Sequence, residues 1–372
     1  MKIALFLGNA GKNSGGPEVY ELELLRALAR IDRQNEYHAY FLFEKGPEKA
    51  GPKPDNFHYH VLGSGSRAVK LAVTLPLALR RLKPDAIHST FIPPVVIPPR
   101  MAYTLPCTAM FEHPSYYPLA IRLRLRALCG LGIRNSASVV CISEHVRQWV
   151  RQKVGLSNER LPLVPLGANT AFRPMSEEEL APVVREKYGL NFPYFLYSGR
   201  WEQRKNLVRL IAAFAQFKRE NANEYKLVLT GERTWAAKEV DDRIEQLGIQ
   251  DSVVDLGKSP LLELPALYCG ATALLYPSLW ESFGLPIVEA MRSGTPVITS
   301  KTSAMPETAG GAALLVDPFN EEEMADAMRR LSQDNGLRQS LREKGLERGA
   351  YFTWDQTARK SLEVYACLAA RN

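Results

Sequence analysis

At 372 residues and 46% apolar side chains, the chain is long enough for two α/β domains and too apolar for a disordered protein. Five cysteines (Cys107, Cys129, Cys141, Cys269, Cys367) form no C-x-x-C pair, which suits free thiols in a reducing compartment and disfavours a disulfide framework or zinc site. Net charge is +7, with residues 1–173 carrying 23 Lys/Arg against 12 Asp/Glu and the remainder 24 against 28. The basic first half suits an anionic membrane surface or an acidic acceptor. Nucleic acid is not expected, because no recognition motif and no aromatics interleaved with the cations accompany that charge.

The opening apolar run, IALFLG, is too short for a signal-peptide core and reads as a buried strand over Ile3–Leu7. No stretch approaches the roughly 18 apolar residues of a membrane span. The expected location is cytoplasmic, with peripheral contact at the inner face of the membrane as an extension of that reading. Glu18–Ile31 has apolar positions at helical spacing. HAYFLF, FHYHVL, DAIHST, CTAMFE and SVVCIS follow as strands, with a helix over Leu119–Arg134 between the last two. The Pro-rich passage Leu161–Pro174 breaks this rhythm and marks a domain boundary. Beyond it PYFLYSG, YKLVLTG, SVVDLG, TALLYPS, PVITS and AALLV read as strands. Asn206–Phe217, Ala236–Leu247, Leu261–Cys269, Phe283–Arg292 and Glu321–Leu331 read as the helices between them. Leu337–Arg371 is mostly helical, with a break near Tyr351–Trp354. Alternation of this kind predicts two doubly wound α/β domains, whose ligands bind beyond the carboxyl ends of the strands.

Four segments fall at such ends. Asn9–Glu18 carries Gly15-Gly16 before a helix start, where backbone N–H groups can meet an anion. Ser198–Asn206 places Arg200 and Lys205 five residues apart, a forked cation and a point charge suited to a diphosphate. Glu281–Glu289 sets one glutamate in a loop and a second inside a helix, among Ile287, Val288, Ala290 and Met291, where an unpaired carboxylate is costly. N–H groups of Phe283, Gly284 and Leu285 at that helix start can hold an anion or sugar hydroxyls. Phe111–Pro118 contains His113. His88 is its competitor, and His145 reads as a helix-face residue.

The run Tyr276–Ile298, with seven residues between Glu281 and Glu289, closely resembles the E-x7-E signature of family 4 glycosyltransferases. SGRWEQRKNL resembles that family's G-R…K-N segment, KNSGGPE its N-terminal glycine loop, and MPETAGGAALLVDP the stretch that usually follows the signature. The landmarks occur in the family's order. Ser282 stands where the family more often has glycine, and Pro114 where it often has aspartate.

The resemblance implies a GT-B fold, two Rossmann-like doubly wound domains facing a central cleft. Residues 1–172 with about 355–372 would bind the acceptor and residues 173–354 the nucleotide sugar, the C-terminal helix crossing back to the first domain. It implies retaining transfer of a hexose from a nucleoside-diphosphate sugar to a glycan or lipid-linked acceptor. The wording around Glu281–Pro318 favours GDP-mannose, then UDP-glucose or another UDP-hexose. Arg200 and Lys205 would neutralise the leaving diphosphate, and Gly15-Gly16 would approach the donor phosphate. Glu281 would contact sugar hydroxyls with help from the N–H groups of Phe283, Gly284 and Leu285. Glu289 would bind the ribose, and His113 would face the transferred sugar. No cofactor and no metal are expected: the cations do the neutralising, and the chain has no D-x-D.

A dehydrogenase reading of Gly63–Ala68 with Asp85 fails because Asp85 precedes a strand where it should end one. An inactive sugar- or membrane-binding module and a GT-B epimerase compete with the transferase reading. Arg122, Arg124 and Arg126 alternate with Ile121, Leu123 and Leu125, a stretch able to lie on an anionic bilayer if helical.

Overall fold

A computed structural model describes residues 1–12, 15–220 and 224–370. Asn13 and Ser14 of the glycine-loop segment lie outside the described residues. The chain divides into two compact units, 1–167 with 353–372 and 168–352.

The first unit holds β1 (Lys2–Leu7), β2 (Glu36–Phe41), β3 (Phe57–Val61), β4 (Ala86–Thr90), β5 (Met101–Leu105) and β6 (Ser138–Cys141). They form one parallel sheet in the order β3-β2-β1-β4-β5-β6. The second unit holds β7 (Tyr194–Ser198), β8 (Lys226–Thr230), β9 (Val253–Asp255), β10 (Ala273–Tyr276), β11 (Val297–Ser300) and β12 (Leu314–Val316). Its order, β12-β11-β10-β7-β8-β9, is the same topology repeated. Strand order reverses between β1 and β4 in one sheet and between β7 and β10 in the other. At such a switch point adjacent loops leave in opposite directions and open a crevice for a ligand.

Burial on both faces explains why central strands such as β1, β7 and β10 read as continuous apolar runs. Along β7, Tyr194 and Leu196 pack with the helices Leu264–Cys269 and Leu285–Ser293, while Phe195 and Tyr197 pack with Leu207–Glu220 and Glu321–Gln333. In the first unit Ile3, Leu5 and Leu7 meet Tyr20, Leu24 and Leu28 of the helix Gly16–Ile31. The same core takes in Trp354, Ala358, Val364, Tyr365 and Leu368 of the last helix, Trp354–Ala369, which thus returns to the first unit. Among the described residues no helix is long and apolar enough to cross a membrane.

One expected strand is misplaced. CTAMFE is not extended: the fifth strand is Met101–Leu105, and Ala109–Glu112 makes a helical turn closed by His113 N–H on the Ala109 carbonyl at 2.8 Å. Pro106 has no N–H for the ladder and ends the strand earlier than the apolar pattern suggests. His113 therefore follows a helical turn, not a strand.

Trp354–Ala369 also satisfies a buried polar group. His88, inside β4, bonds Tyr365 Oη through Nδ1 at 2.5 Å and Thr104 Oγ1 through Nε2 at 2.7 Å. Burial pushes this imidazole down to about 3. Deleting residues 355–372 opens the core and leaves His88 without one partner. The expected outcome is an insoluble chain or a thermal midpoint at least several degrees lower by circular dichroism; an unchanged midpoint would remove this helix from the first unit's core.

Candidate active site

The loops after β7 and β10, on either side of the second sheet's switch point, are tied together by backbone and side chain. After β7 the chain makes a short helical turn, Gln203–Lys205, and ends it at Asn206 in the left-handed region, φ 63°. Asparagine tolerates that conformation because its side chain bonds locally. Here Asn206 Nδ2 donates to the carbonyls of Pro277 at 3.0 Å and Pro318 at 2.6 Å, and Leu279 N–H donates to the Arg204 carbonyl at 2.8 Å. Upstream, Gly199 N–H donates to the Thr230 carbonyl, and Gly231 lies so close that an added Cβ would stand 1.9 Å from the Gly199 oxygen.

These ties bring opposite charges into a buried cluster. Lys205 and Glu281 are only 7% and 8% exposed. Glu281 Oε1 accepts from Lys205 Nζ at 2.5 Å, Arg204 NH1 at 2.8 Å and Tyr276 Oη at 3.0 Å, and Lys205 also bonds Tyr276. The other carboxylate oxygen, Oε2, accepts no hydrogen bond among the described residues. Burial pushes the Glu281 carboxyl up, but Arg204, Lys205 and Tyr276 outweigh it and hold it at about 2. Lys205 is pulled below its ordinary value, by burial first and then by Arg204, with Glu281 opposing.

Arg200 stands apart from this core, 44% exposed, between Glu202 at 3.4 Å and Glu232 at 3.2 Å. Glu202 also holds Arg204 at 2.9 Å, so an ion chain runs from solvent to the buried pair. Backbone contacts aim Glu281: its N–H donates to Ser303 Oγ at 2.9 Å, and its carbonyl accepts from Ala304 at 3.2 Å. The helix Leu285–Ser293 begins after Gly284, whose φ of 91° is one that glycine adopts without strain. Among the described residues the N–H groups of Phe283, Gly284 and Leu285 have no acceptor, as expected at a helix start. Four residues on, Glu289 accepts from Tyr268 Oη at 3.0 Å, and burial pushes its carboxyl up to about 7 in spite of Tyr268 and nearby Lys205.

In the first unit Gly15, φ 71°, caps the helix Gly16–Ile31, and an added Cβ on either glycine would meet open space. His113 stacks on Tyr116, ring centres 5.1 Å apart, and lines a cavity of about 710 Å³ with Arg126, Arg134, Trp149 and Lys153. His145 lies on the helix Glu144–Val154, 3.8 Å from Glu112. His88 is the core histidine described above, and Asp85 accepts from the Lys2 N–H at 2.7 Å, a structural task.

The structure thus brings Lys205, Glu281, Glu289 and the start of Leu285–Ser293 into one neighbourhood, with Arg200 at its exposed edge. Arg204, Asn206, Tyr268 and Tyr276 are additions. Arg204 has a legible signal as a cation between Arg200 and Lys205, and Asn206 as the last residue of the G-R…K-N segment.

Two parallel sheets of this order, with a free helix start and a buried lysine at a switch point, are the frame of a glycosyltransferase of GT-B fold, and the relatives of the chain bear this out. A family model described as glycosyl transferases group 1 matches residues 183–348, and one described as glycosyltransferase family 4 matches residues 14–172. The chain belongs to the family 4 glycosyltransferases and resembles their mannosyltransferase branch. It is 27% identical to O-antigen chain mannosyltransferase B of Escherichia coli, over 94% of this chain and 95% of that one. Sucrose-phosphate synthase of Thermosynechococcus elongatus superposes with a TM-score of 0.78 at 22% identity, covering all of both chains. HepE of Anabaena, solved in complex with UDP and glucose, gives 0.76 at 17% identity, over 99% of this chain and 100% of that one.

Removing Glu281 alone strands a buried ammonium. Glu281→Ala is expected to cost about 3–5 kcal/mol in denaturant unfolding, whereas Glu281→Leu with Lys205→Met restores most of that stability without function. Equal losses in both variants would mean that the pair's charges are not what the fold must balance.

Proposed function

We propose that the protein transfers a hexose, mannose foremost and glucose next, from a nucleoside-diphosphate sugar to a hydroxyl of a glycan or lipid-linked acceptor. The transfer retains anomeric configuration and uses no metal. The observation that carries this reading is Glu281: one carboxylate oxygen is saturated by three cationic or phenolic donors and the other is left for a ligand's hydroxyls.

In this mechanism the diphosphate lies against Arg200, Lys205 and the unpaired N–H groups of Phe283, Gly284 and Leu285. Glu281 Oε2 accepts from the donor sugar, and Glu289 from the ribose. The bond from the anomeric carbon to the phosphate oxygen breaks, leaving an oxocarbenium-like sugar and a diphosphate with one more negative charge. Preorganised positive groups lower that barrier most, because they are already oriented when the charge appears. The acceptor oxygen bonds to the same face of the anomeric carbon and passes its proton to the departing phosphate oxygen. Gly15-Gly16 approaches the donor phosphate, and His113 faces the sugar. The mannose preference rests on the E. coli mannosyltransferase, and the nucleotide mode on HepE with UDP.

Calorimetry in EDTA with GDP-mannose, UDP-glucose and UDP-N-acetylglucosamine tests the donor and the metal independence together. One donor, GDP-mannose first, is expected to bind with micromolar affinity, weakened at least tenfold in Glu289→Ala. No binding without magnesium or manganese would overturn the metal-free reading. NMR of the product's anomeric signal tests retention.

Ionised Glu289 is the form that accepts ribose hydroxyls, and its carboxyl sits near 7 in the free protein. Donor affinity is therefore expected to be level above pH 8 and to fall about tenfold by pH 6. Glu289→Gln should flatten that profile.

Peripheral contact with an anionic membrane is a second reading with its own support. Val69, Val73 and Leu77 form an exposed stripe at helical spacing beside Lys70, Arg80 and Arg81. Leu119, Ile121 and Leu123 are exposed near Arg124 and Arg126. Apolar side chains beside cations suit the interface of an acidic bilayer. Sedimentation with phosphatidylglycerol vesicles should exceed that with phosphatidylcholine and fall with salt; equal sedimentation with both sinks this contact.

A further inference from the structure

Three of the six histidines, with one glutamate, gather on β2 and β3, a place the transfer reading does not use. The strands run parallel with His38 opposite His58 and Tyr40 opposite His60. A period of two places Glu36, His38, His58 and His60 on one face, while Tyr37 and Phe57 stack on the other within the core. Glu36 Oε1 lies 2.8 Å from His38 Nε2 and 3.7 Å from His58 Nε2. One ligand atom from each of the three residues falls within 4.8 Å of the others.

A tetrahedral zinc ion with bonds of about 2.0–2.1 Å separates its ligand atoms by roughly 3.3 Å. The two separations at Glu36 bracket that value, so small side-chain rotations suffice. Behind the ligands, His60 Nε2 lies 3.0 Å from His38 Nδ1 with the two rings stacked 5.2 Å apart, and Tyr40 stacks on His60 in turn. A metal-bound imidazole needs such a partner on its other nitrogen to fix ring and tautomer. Burial is graded accordingly: His38 is 12% exposed, while His58 and Glu36 are 43% and 44% exposed, leaving an entry path and room for a water as fourth ligand. The cations facing the cluster are Lys2 and Lys53.

We propose that Glu36, His38 and His58 bind one divalent transition cation, zinc foremost, with His60 hydrogen-bonding His38 behind it. Glu36 and His38 lie in the amino-terminal half of β2 and His58 near the start of β3, whereas ligand loops of such a sheet leave its carboxyl end. The ion's place is structural, fastening the edge strand β3 to its neighbour, and it takes no part in transfer.

The test uses the full chain without a histidine tag, stripped with EDTA and dialysed, then titrated with zinc sulfate by calorimetry. One zinc per chain with micromolar or tighter affinity is expected, together with a rise in thermal midpoint. Cobalt in place of zinc should give the visible absorption of a four-coordinate ion. His60→Ala should weaken zinc binding by about 10–100-fold, and His58→Gln by more. His58 is half exposed, so His58→Gln should keep its midpoint in EDTA and separates lost binding from lost folding. No stoichiometric zinc in the wild type, or undiminished binding in His38→Gln/His58→Gln, would overturn the site.

Discussion

A lysine and a glutamate buried together where the second sheet reverses its strand order set the terms for everything around them. Each ion loses several kcal/mol of hydration on burial, and mutual attraction offsets this only when further groups satisfy what remains of both. Arg204 and Tyr276 supply those groups. Holding four side chains in one geometry in turn requires that the loops after β7 and β10 not drift. That requirement accounts for the buried Asn206 with its two carbonyl partners, and for the Gly199 and Gly231 backbones in near contact. The folding constraint and the proposed chemistry coincide: a cation kept in a dry, fixed position is costly to bury and effective against developing negative charge.

The outline of the fold is legible because the central strands of both sheets are buried on two faces. Strands such as β1, β7 and β10 stand out as short apolar runs, and the second unit's helices have an apolar side at helical spacing. β5 was missed because MAYTL sits between Pro98-Pro99-Arg100 and Pro106, and the neighbouring CTAMFE has an equally apolar look. Deciding between the two needed the pairing of Ile87 with Met101 along β4, a long-range fact.

Glu281, Glu289, Arg200 and Lys205 could be picked out because their loops follow strands, which fixes which end of the sheet they occupy. Their partners could not. Arg204 reaches Glu281 only through the tight turn at 203–205, and Tyr268 meets Glu289 from a helix 21 residues earlier. His88 and His113 were indistinguishable as letters, and burial separates them: one is locked between Thr104 and Tyr365, the other lines a cavity. The histidine cluster is invisible for a related reason. His38 and His58 are twenty residues apart and meet only because β2 and β3 are neighbours in register.

The two switch points, alike in topology, use a buried carboxylate in opposite ways. Beside β1, Glu21 is 1% exposed and accepts from Asn9 N–H at 2.8 Å, Asn9 Nδ2 at 2.7 Å and Ala10 N–H at 2.9 Å. It has only neutral donors, so burial wins and its carboxyl is pushed up to about 8. Beside β10, Glu281 is nearly as buried but faces two cations, and is held at about 2. The first carboxyl fastens the backbone at Asn9-Ala10, just after β1, while adding little charge near neutral pH. The second keeps its full charge and opposes the loss of the Lys205 proton that burial and Arg204 favour. One topology thus carries two buried glutamates of opposite character, one held near neutral by backbone and amide donors and one kept ionised by cations, and the partners of each decide which.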